Sequence, residues 1–319
     1  MIKAVVKGGG LFAIGSLPGG PKAYRYLTRE VMGTQRGHIF KLQRVWPDIA
    51  GVFTGTAGTL EGKRLLFHEC GWTPFPACMN YLACGDGGVL IGTAVSGSKI
   101  LERYITESIN EALNTVADLS PVTPIPSRRV QELDEMRWRD GLEGFLGETG
   151  TTYHRGVHPG ALPVESDSID LIYSGGALEH YRPQLLEAWL REAERVLKPG
   201  GFMGVILDHR DHLYHFDKRL PFLYYYGMSD GLYHFTRGNT LLYHNRLLPG
   251  QVMVMVAAAG LEKARLLRKS IQLDRWYEDG EEMGGEFGIA RDRLARSCGA
   301  ACDDDLRTAA AFYIYRKPL

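Results

Sequence analysis

Six carboxylate and imidazole groups fall within ten residues of this chain: Asp208, His209, Asp211, His212, His215 and Asp217. Imidazoles beside carboxylates titrate near neutrality and can take a proton from a nucleophile. The same ligand types suit zinc or manganese, and a hydrogen-bonded structural cluster uses them equally well. His209 and His212 stand three apart and Asp211 and His215 four apart, so a helix would put each pair on one face. The assignment taken here is catalytic: His209 and His212 as proton acceptors, with no metal. Upstream, His180 closes the stretch Ser174-Gly175-Gly176-Ala177-Leu178-Glu179-His180 and is a third candidate base. Packing in the first turn of a helix explains His180 equally well, and Glu179 suits a helix start through the macrodipole. The aromatic runs Phe222-Leu223-Tyr224-Tyr225-Tyr226 and Tyr233-His234-Phe235 point to a polar, aromatic-lined pocket for a sugar or polyketide-like molecule. Core packing is the alternative, strongest for Phe222 and Leu223.

These residues need a scaffold, and the pattern from Leu162 to Asp208 supplies one. Ile169, Leu171, Ile172 and Tyr173 read as a short buried strand. Leu185, Leu186, Trp189, Leu190, Ala193 and Val196–Leu197 recur at helical spacing. Lys198-Pro199-Gly200-Gly201 stops that helix, and Phe202 to Leu207 forms a second strand ending at Asp208. This is a strand–helix–strand crossover between parallel strands. Earlier in the chain, Lys63–Glu69 and Val89–Gly92 read as strands, Thr152–His154 as a short third. Helices are expected after Pro76, over Lys99–Val116 and over Arg128–Leu146. Later, Val252–Ala259 reads as a helix, and Ala264–Lys269 and Ala309–Arg316 as strands. Alternation of strands and helices implies a mostly parallel, doubly wound α/β sheet. Residues 1–60 form a separate N-terminal helical segment or lid, with helices over Tyr24–Met32 and Ile39–Val45. Residues 61–319 form the main domain, interrupted at about 208–250 by a substrate-side insertion.

The wording Asp-Leu-Ile-Tyr-Ser (170–174), Leu-Glu-His (178–180) and Arg-Val-Leu-Lys-Pro-Gly-Gly (195–201) resembles the second half of class I S-adenosylmethionine-dependent methyltransferases, of the type 11 kind. The resemblance implies a seven-stranded sheet whose last strand is antiparallel and inserted near the sixth. It implies S-adenosylmethionine as cofactor and methyl transfer, O-methylation in particular, to a small molecule or glycan precursor. By the family pattern Glu69 orients the methionine amino group, the turn at Gly71 and Trp72 wraps the methionine part, and Ser174 lies on the cofactor side of the fourth strand. The family's ribose-binding acid belongs in Ile91-Gly92-Thr93-Ala94-Val95-Ser96, which holds no carboxylate, so Thr93 stands in as the candidate. His158 occupies the place of an adenine-side acid. These departures support a second reading: a methyltransferase-like fold that has lost methyl transfer and catalyses a cyclisation, elimination or isomerisation, or serves as a non-catalytic partner.

Composition narrows the setting. Acidic and basic residues number 37 each and form no long block of one sign, so neither nucleic acid nor a membrane surface is an expected partner. No apolar run is long enough to span a bilayer. A cytoplasmic protein is expected, and a homo-oligomer is left open. Five cysteines without a C-x-x-C pair speak against a zinc or disulfide framework.

Overall fold

A computed structural model describes residues 13–14, 17–19, 23, 46–47, 49–68, 74–85, 87–92, 105–136, 141–215, 219–237, 243–271, 276–283 and 286–319. The expected helices at Tyr24–Met32 and Ile39–Val45 lie outside these residues. Eight strands form one sheet in the order β3-β2-β1-β4-β5-β8-β6-β7. The chain divides into two compact units.

One unit includes Gly33–Ser174, Glu192–Gly204 and Arg316–Leu319. Its strands are β1 (Leu65–His68), β2 (Val89–Gly92), β3 (Thr152–Arg155) and most of β4 (Ile169–Gly175). Pairing is parallel throughout, with His68 opposite Ile91 on one side and Ser174 on the other. Every residue of β1 and β2 is buried, as expected of parallel strands covered on both faces. A helical stretch over residues 49–57 (α1) follows Trp46, which stacks on Phe67 at 5.0 Å between centroids and meets Tyr173 edge-on. Helices α2 (Phe75–Cys84) and α3 (Ile105–Leu119) follow. The single helix expected over Arg128–Leu146 is instead two, α4 (Ser127–Glu135) and α5 (Gly141–Glu148). Gly141 enters α5 at φ +66°, a conformation that interrupts a continuous α-helix.

Helix α6 (Pro183–Val196) buries Leu186, Trp189, Leu190, Ala193 and Val196, a stripe at the expected spacing. Near its end Arg195 donates to the carbonyls of Leu162 and Val164 and pairs with Glu192, which accepts the Leu162 N–H. The hydrogen bond from Arg195 pulls the Glu192 pKa down, so the charged pair clamps the approach to β4. Strand β5 (Leu197–Asp208) starts earlier than the expected Phe202. The Lys-Pro-Gly-Gly stop is also its first stretch, because Gly200 and Gly201 pair with Lys317 through backbone bonds. Gly200 takes φ +78°, and a Cβ on Gly201 would stand 2.9 Å from the Lys198 carbonyl oxygen and 3.0 Å from that of Asp170. Both obstacles are backbone. Gly201→Ala should therefore cost about 1–3 kcal/mol, read as a shifted denaturation midpoint.

The other unit includes Gly175–Arg191 and Val205–Tyr315. It holds α7 (Asp230–Arg237), α8 (Pro249–Ala258), α9 (Asp303–Arg307), β6 (Glu262–Ser270), β7 (Trp276–Glu278) and nearly all of β8 (Thr308–Arg316). Strand β8 runs antiparallel to β5, with the His209 N–H on the Ala309 carbonyl at one end and Gly200 and Gly201 on Lys317 at the other. It is inserted between β5 and β6, the order the methyltransferase resemblance implies. The eighth strand, β7, was not expected; it adds to β6 antiparallel at the sheet's edge. Among the described residues no helix is long and apolar enough to cross a membrane.

Candidate functional site

The densest polar constellation lies within the second unit, on the segments that follow β4 and β5. After β4 the chain makes a short 3-10 turn, Leu178–His180, before α6 begins at Pro183. Glu179 is therefore outside the helix it was expected to start, and it is buried, 3% exposed. Asn245 pins this turn from three sides. Its side-chain amide donates to the carbonyls of Leu178 and Tyr181, and its backbone N–H donates to the Glu179 carbonyl. His180 Nδ1 lies 2.7 Å from the Tyr243 carbonyl oxygen, a contact that requires the proton on Nδ1.

After β5 the expected helix does not form. A 3-10 turn covers only His212–His215, and this separates His209 from His212. His209 turns into the core: Nδ1 lies 3.2 Å from the Leu247 carbonyl and Nε2 2.9 Å from the Tyr313 hydroxyl. Burial pushes its pKa down to about 4, so it stays neutral with both nitrogens engaged. His212 turns the other way. Its ring centroid is 5.0 Å from that of His180 and 4.2 Å from that of His244, and its Nε2 is 3.8 Å from Asp208 Oδ2. Burial pushes the Asp208 carboxyl up, but two hydrogen bonds and the charge of Arg210 outweigh it and hold its pKa below the usual value. One ligand atom from each of Glu179, His180 and His212 lies within 4.8 Å of the others.

Three members of the sequence cluster fall elsewhere. Asp211 is fully buried and accepts Nε and Nη2 of Arg237, itself 2% exposed. It also accepts the Leu213 N–H and is a structural anchor. For His215 only the backbone is described, and Asp217 lies outside the described residues.

His244 escaped the sequence reading, since it sits 32 positions beyond His212 with nothing local to single it out. Its Nε2 lies 3.1 Å from the Asp208 carbonyl oxygen. Burial first, then the neighbouring His212 and His180, push its pKa well below the ordinary imidazole value. Its Nδ1 is buried without a hydrogen-bond partner.

The run of three tyrosines behaves differently from the acceptor pocket expected of it. Tyr225 and Tyr226 are core residues whose hydroxyls donate to the carbonyls of His209 and Leu247. Aromatic lining comes instead from Tyr233 and Tyr243. With Arg182, Arg246, Gln251 and Ser297 they border a cavity of about 340 Å³. Arg246 lies over the Tyr233 ring at 4.1 Å and Arg182 over Tyr243 at 5.0 Å. Tyr243 thus serves both the cavity wall and the anchoring of His180.

On the cofactor side, Glu69, Gly71, Trp72 and Thr93 lie outside the described residues. Ser174 ends up buried, its Oγ 3.4 Å from His68 Nδ1. Desolvation drives the His68 pKa down to about 3, so a neutral imidazole stands where β1 delivers the chain to its first loop. His158 is exposed and accepts the Gly160 N–H at 3.1 Å, closing a local turn.

Residues 148–205 match the family model described as a methyltransferase domain. No curated protein matches the chain significantly. Similar solved structures include a sarcosine dimethylglycine methyltransferase from Galdieria sulphuraria (14% identity, TM-score 0.47, 85% of each chain covered). Another is an S-adenosylmethionine-dependent methyltransferase from Mesorhizobium loti (14%, 0.41, 83% of this chain and 96% of that one). A third is the cyclase SpnF (17%, 0.44, 86% and 81%).

Proposed function

We propose that this chain, whose residues 148–205 match a methyltransferase-domain model, is a class I S-adenosylmethionine-dependent methyltransferase that transfers a methyl group from S-adenosylmethionine to a hydroxyl of a small molecule or glycan precursor. Support for methyl transfer comes from the family match over residues 148–205, the strand–helix–strand segment whose carboxyl ends face ligands in open α/β sheets. Support for a hydroxyl acceptor comes from the Glu179–His180–His212 cluster. A hydroxyl is a poor nucleophile until its proton is withdrawn or its oxygen is polarised, and this cluster lies on the segments that follow β4 and β5, where open α/β sheets bind ligands. Arg182, Tyr233 and Tyr243 offer hydrogen bonds and ring faces to a polar acceptor in the adjoining cavity.

Calorimetric titration with S-adenosylmethionine tests the reading. Binding in the micromolar range, abolished by Glu69→Ala, is the expected result; no heat at millimolar cofactor would overturn it. That second outcome is the one expected from a fold that has left methyl transfer, the reading favoured by the missing carboxylate in Ile91–Ser96. A neutral hydroxyl at Thr93 in place of a charged acceptor costs about 1.5–3 kcal/mol of binding, which weakens affinity without removing it.

A further inference from the structure

We propose that Glu179, His180 and His212 hold a divalent first-row transition-metal ion, with zinc the reference case. Ligand atoms from all three lie within 4.8 Å of one another. Donors about 2.0–2.2 Å from a tetrahedral zinc stand about 3.5 Å apart, so small side-chain rotations close the remaining distance. A mixed imidazole and carboxylate set suits zinc and its neighbours and is a poor match for calcium or magnesium, which prefer all-oxygen shells.

The surroundings are those a metal site needs. Metal-bound histidines donate their second ring N–H to a carbonyl or carboxylate, which fixes the tautomer and leaves the other nitrogen as the donor. His180 meets this condition through Nδ1 and the Tyr243 carbonyl, 2.7 Å apart. His212 has its Nε2 3.8 Å from the Asp208 carboxylate, and Arg210 grips that carboxylate through both oxygens. Asn245 holds the turn that carries Glu179 and His180.

An independent observation comes from His244. It is 2% exposed, and its Nε2 faces the Asp208 carbonyl oxygen, which places the proton there. Nδ1 is then a buried lone pair without a hydrogen-bond partner, in a ring 4.2 Å from His212 and 5.6 Å from His180. Buried polar atoms in native proteins are almost always satisfied. A water on the ion's open fourth position satisfies this one by donating to Nδ1. Three protein ligands plus a water is the arrangement of zinc sites that polarise a bound oxygen. Holding the acceptor oxygen there is the ion's use to methyl transfer, and that use rests on the reading proposed above; binding of the ion does not.

The test is zinc titration of the full-length chain, stripped with chelator and dialysed, against a chromophoric competitor. One ion per chain at submicromolar affinity is expected, with His180→Asn, His212→Asn and Glu179→Gln each weakening binding at least 100-fold. Cobalt should give the visible d–d bands of a tetrahedral site in the wild type, an assay that requires no variant to fold. His158→Ala, at an exposed histidine outside the ligand set, should leave the stoichiometry at one. No zinc binding by the wild type, or one bound ion that survives His180→Asn and His212→Asn, overturns the proposal. Zinc binding without S-adenosylmethionine binding would leave the metal site standing and remove the methyl-transfer reading.

Discussion

Lowering the pH from 6.5 to 4.5 should remove about 4 kcal/mol of folding stability through the buried His68 and His209. Burial depresses His68 to about 3 and His209 to about 4, against an ordinary 6.5. Above pH 6.5 both are neutral whether the chain is folded or not, and their contribution is fully present. As the pH falls, the unfolded imidazoles bind protons and the folded ones do not, so the unfolded state is favoured. Each histidine then costs about 1.4 kcal/mol per pH unit, and the loss levels off near the folded pKa values of about 3 and 4. Carboxylates held below their usual pKa, such as Asp208, lose their contribution at lower pH, which separates the two causes. Urea unfolding at half-unit steps of pH reads the slope directly. His68→Gln and His209→Gln should each remove about a third of it between pH 6.5 and 4.5, the buried His244, also held well below the ordinary value, supplying a similar share; an unchanged slope in the double variant would assign the acid sensitivity elsewhere.

The same two residues show what the sequence could and could not tell. Strand positions and the buried stripe of α6 were legible because each rests on local periodicity or on a crossover with its stop signal intact, whereas the insertion of β8 between β5 and β6 followed only from the methyltransferase resemblance. His68 was legible only as a strand residue. What makes it a neutral, buried imidazole is its register opposite Ser174, a contact across 106 positions. His209 and His212 looked like a pair because a helix was assumed beneath them. The chain takes a 3-10 turn instead, Asp211 is drawn inward by Arg237, and the two histidines part. His244 was invisible for the opposite reason: it joins the cluster through the segment 243–247, whose backbone carbonyls and Asn245 side chain fasten it to the turn after β4. Tyr225 and Tyr226 carried a composition signal for a pocket, yet their hydroxyls reach main-chain carbonyls in the core. Polar side chains declare their chemistry locally, but whether they face a partner, a substrate or a core carbonyl is decided by distant segments.

That division gives the functional prediction its sharpest form. His180→Ala and His212→Ala should each lower turnover 100- to 10,000-fold, about 3–5 kcal/mol of barrier, whereas His209→Gln should keep wild-type turnover per folded molecule. The contrast follows from the ring nitrogens. His209 has one on the Leu247 carbonyl and the other on the Tyr313 hydroxyl, so its loss is felt as stability. His180 and His212 share their surroundings with the buried Glu179 and with His244, so their loss removes the group that withdraws or polarises the acceptor's proton. The measurement is release of S-adenosylhomocysteine from S-adenosylmethionine with a panel of simple glycosides and phenols, followed by kcat and KM for the acceptor turned over fastest. Cofactor affinity should be unchanged in all three variants, because the family's cofactor positions, from Glu69 to Ser174, all come before the turn that carries His180. A fall in kcat at constant cofactor affinity distinguishes a lost acceptor-activating group from a disturbed fold. Equal turnover in His180→Ala, His212→Ala and wild type would make the cluster structural and return the search for the acceptor's proton to the cavity lined by Tyr233 and Tyr243.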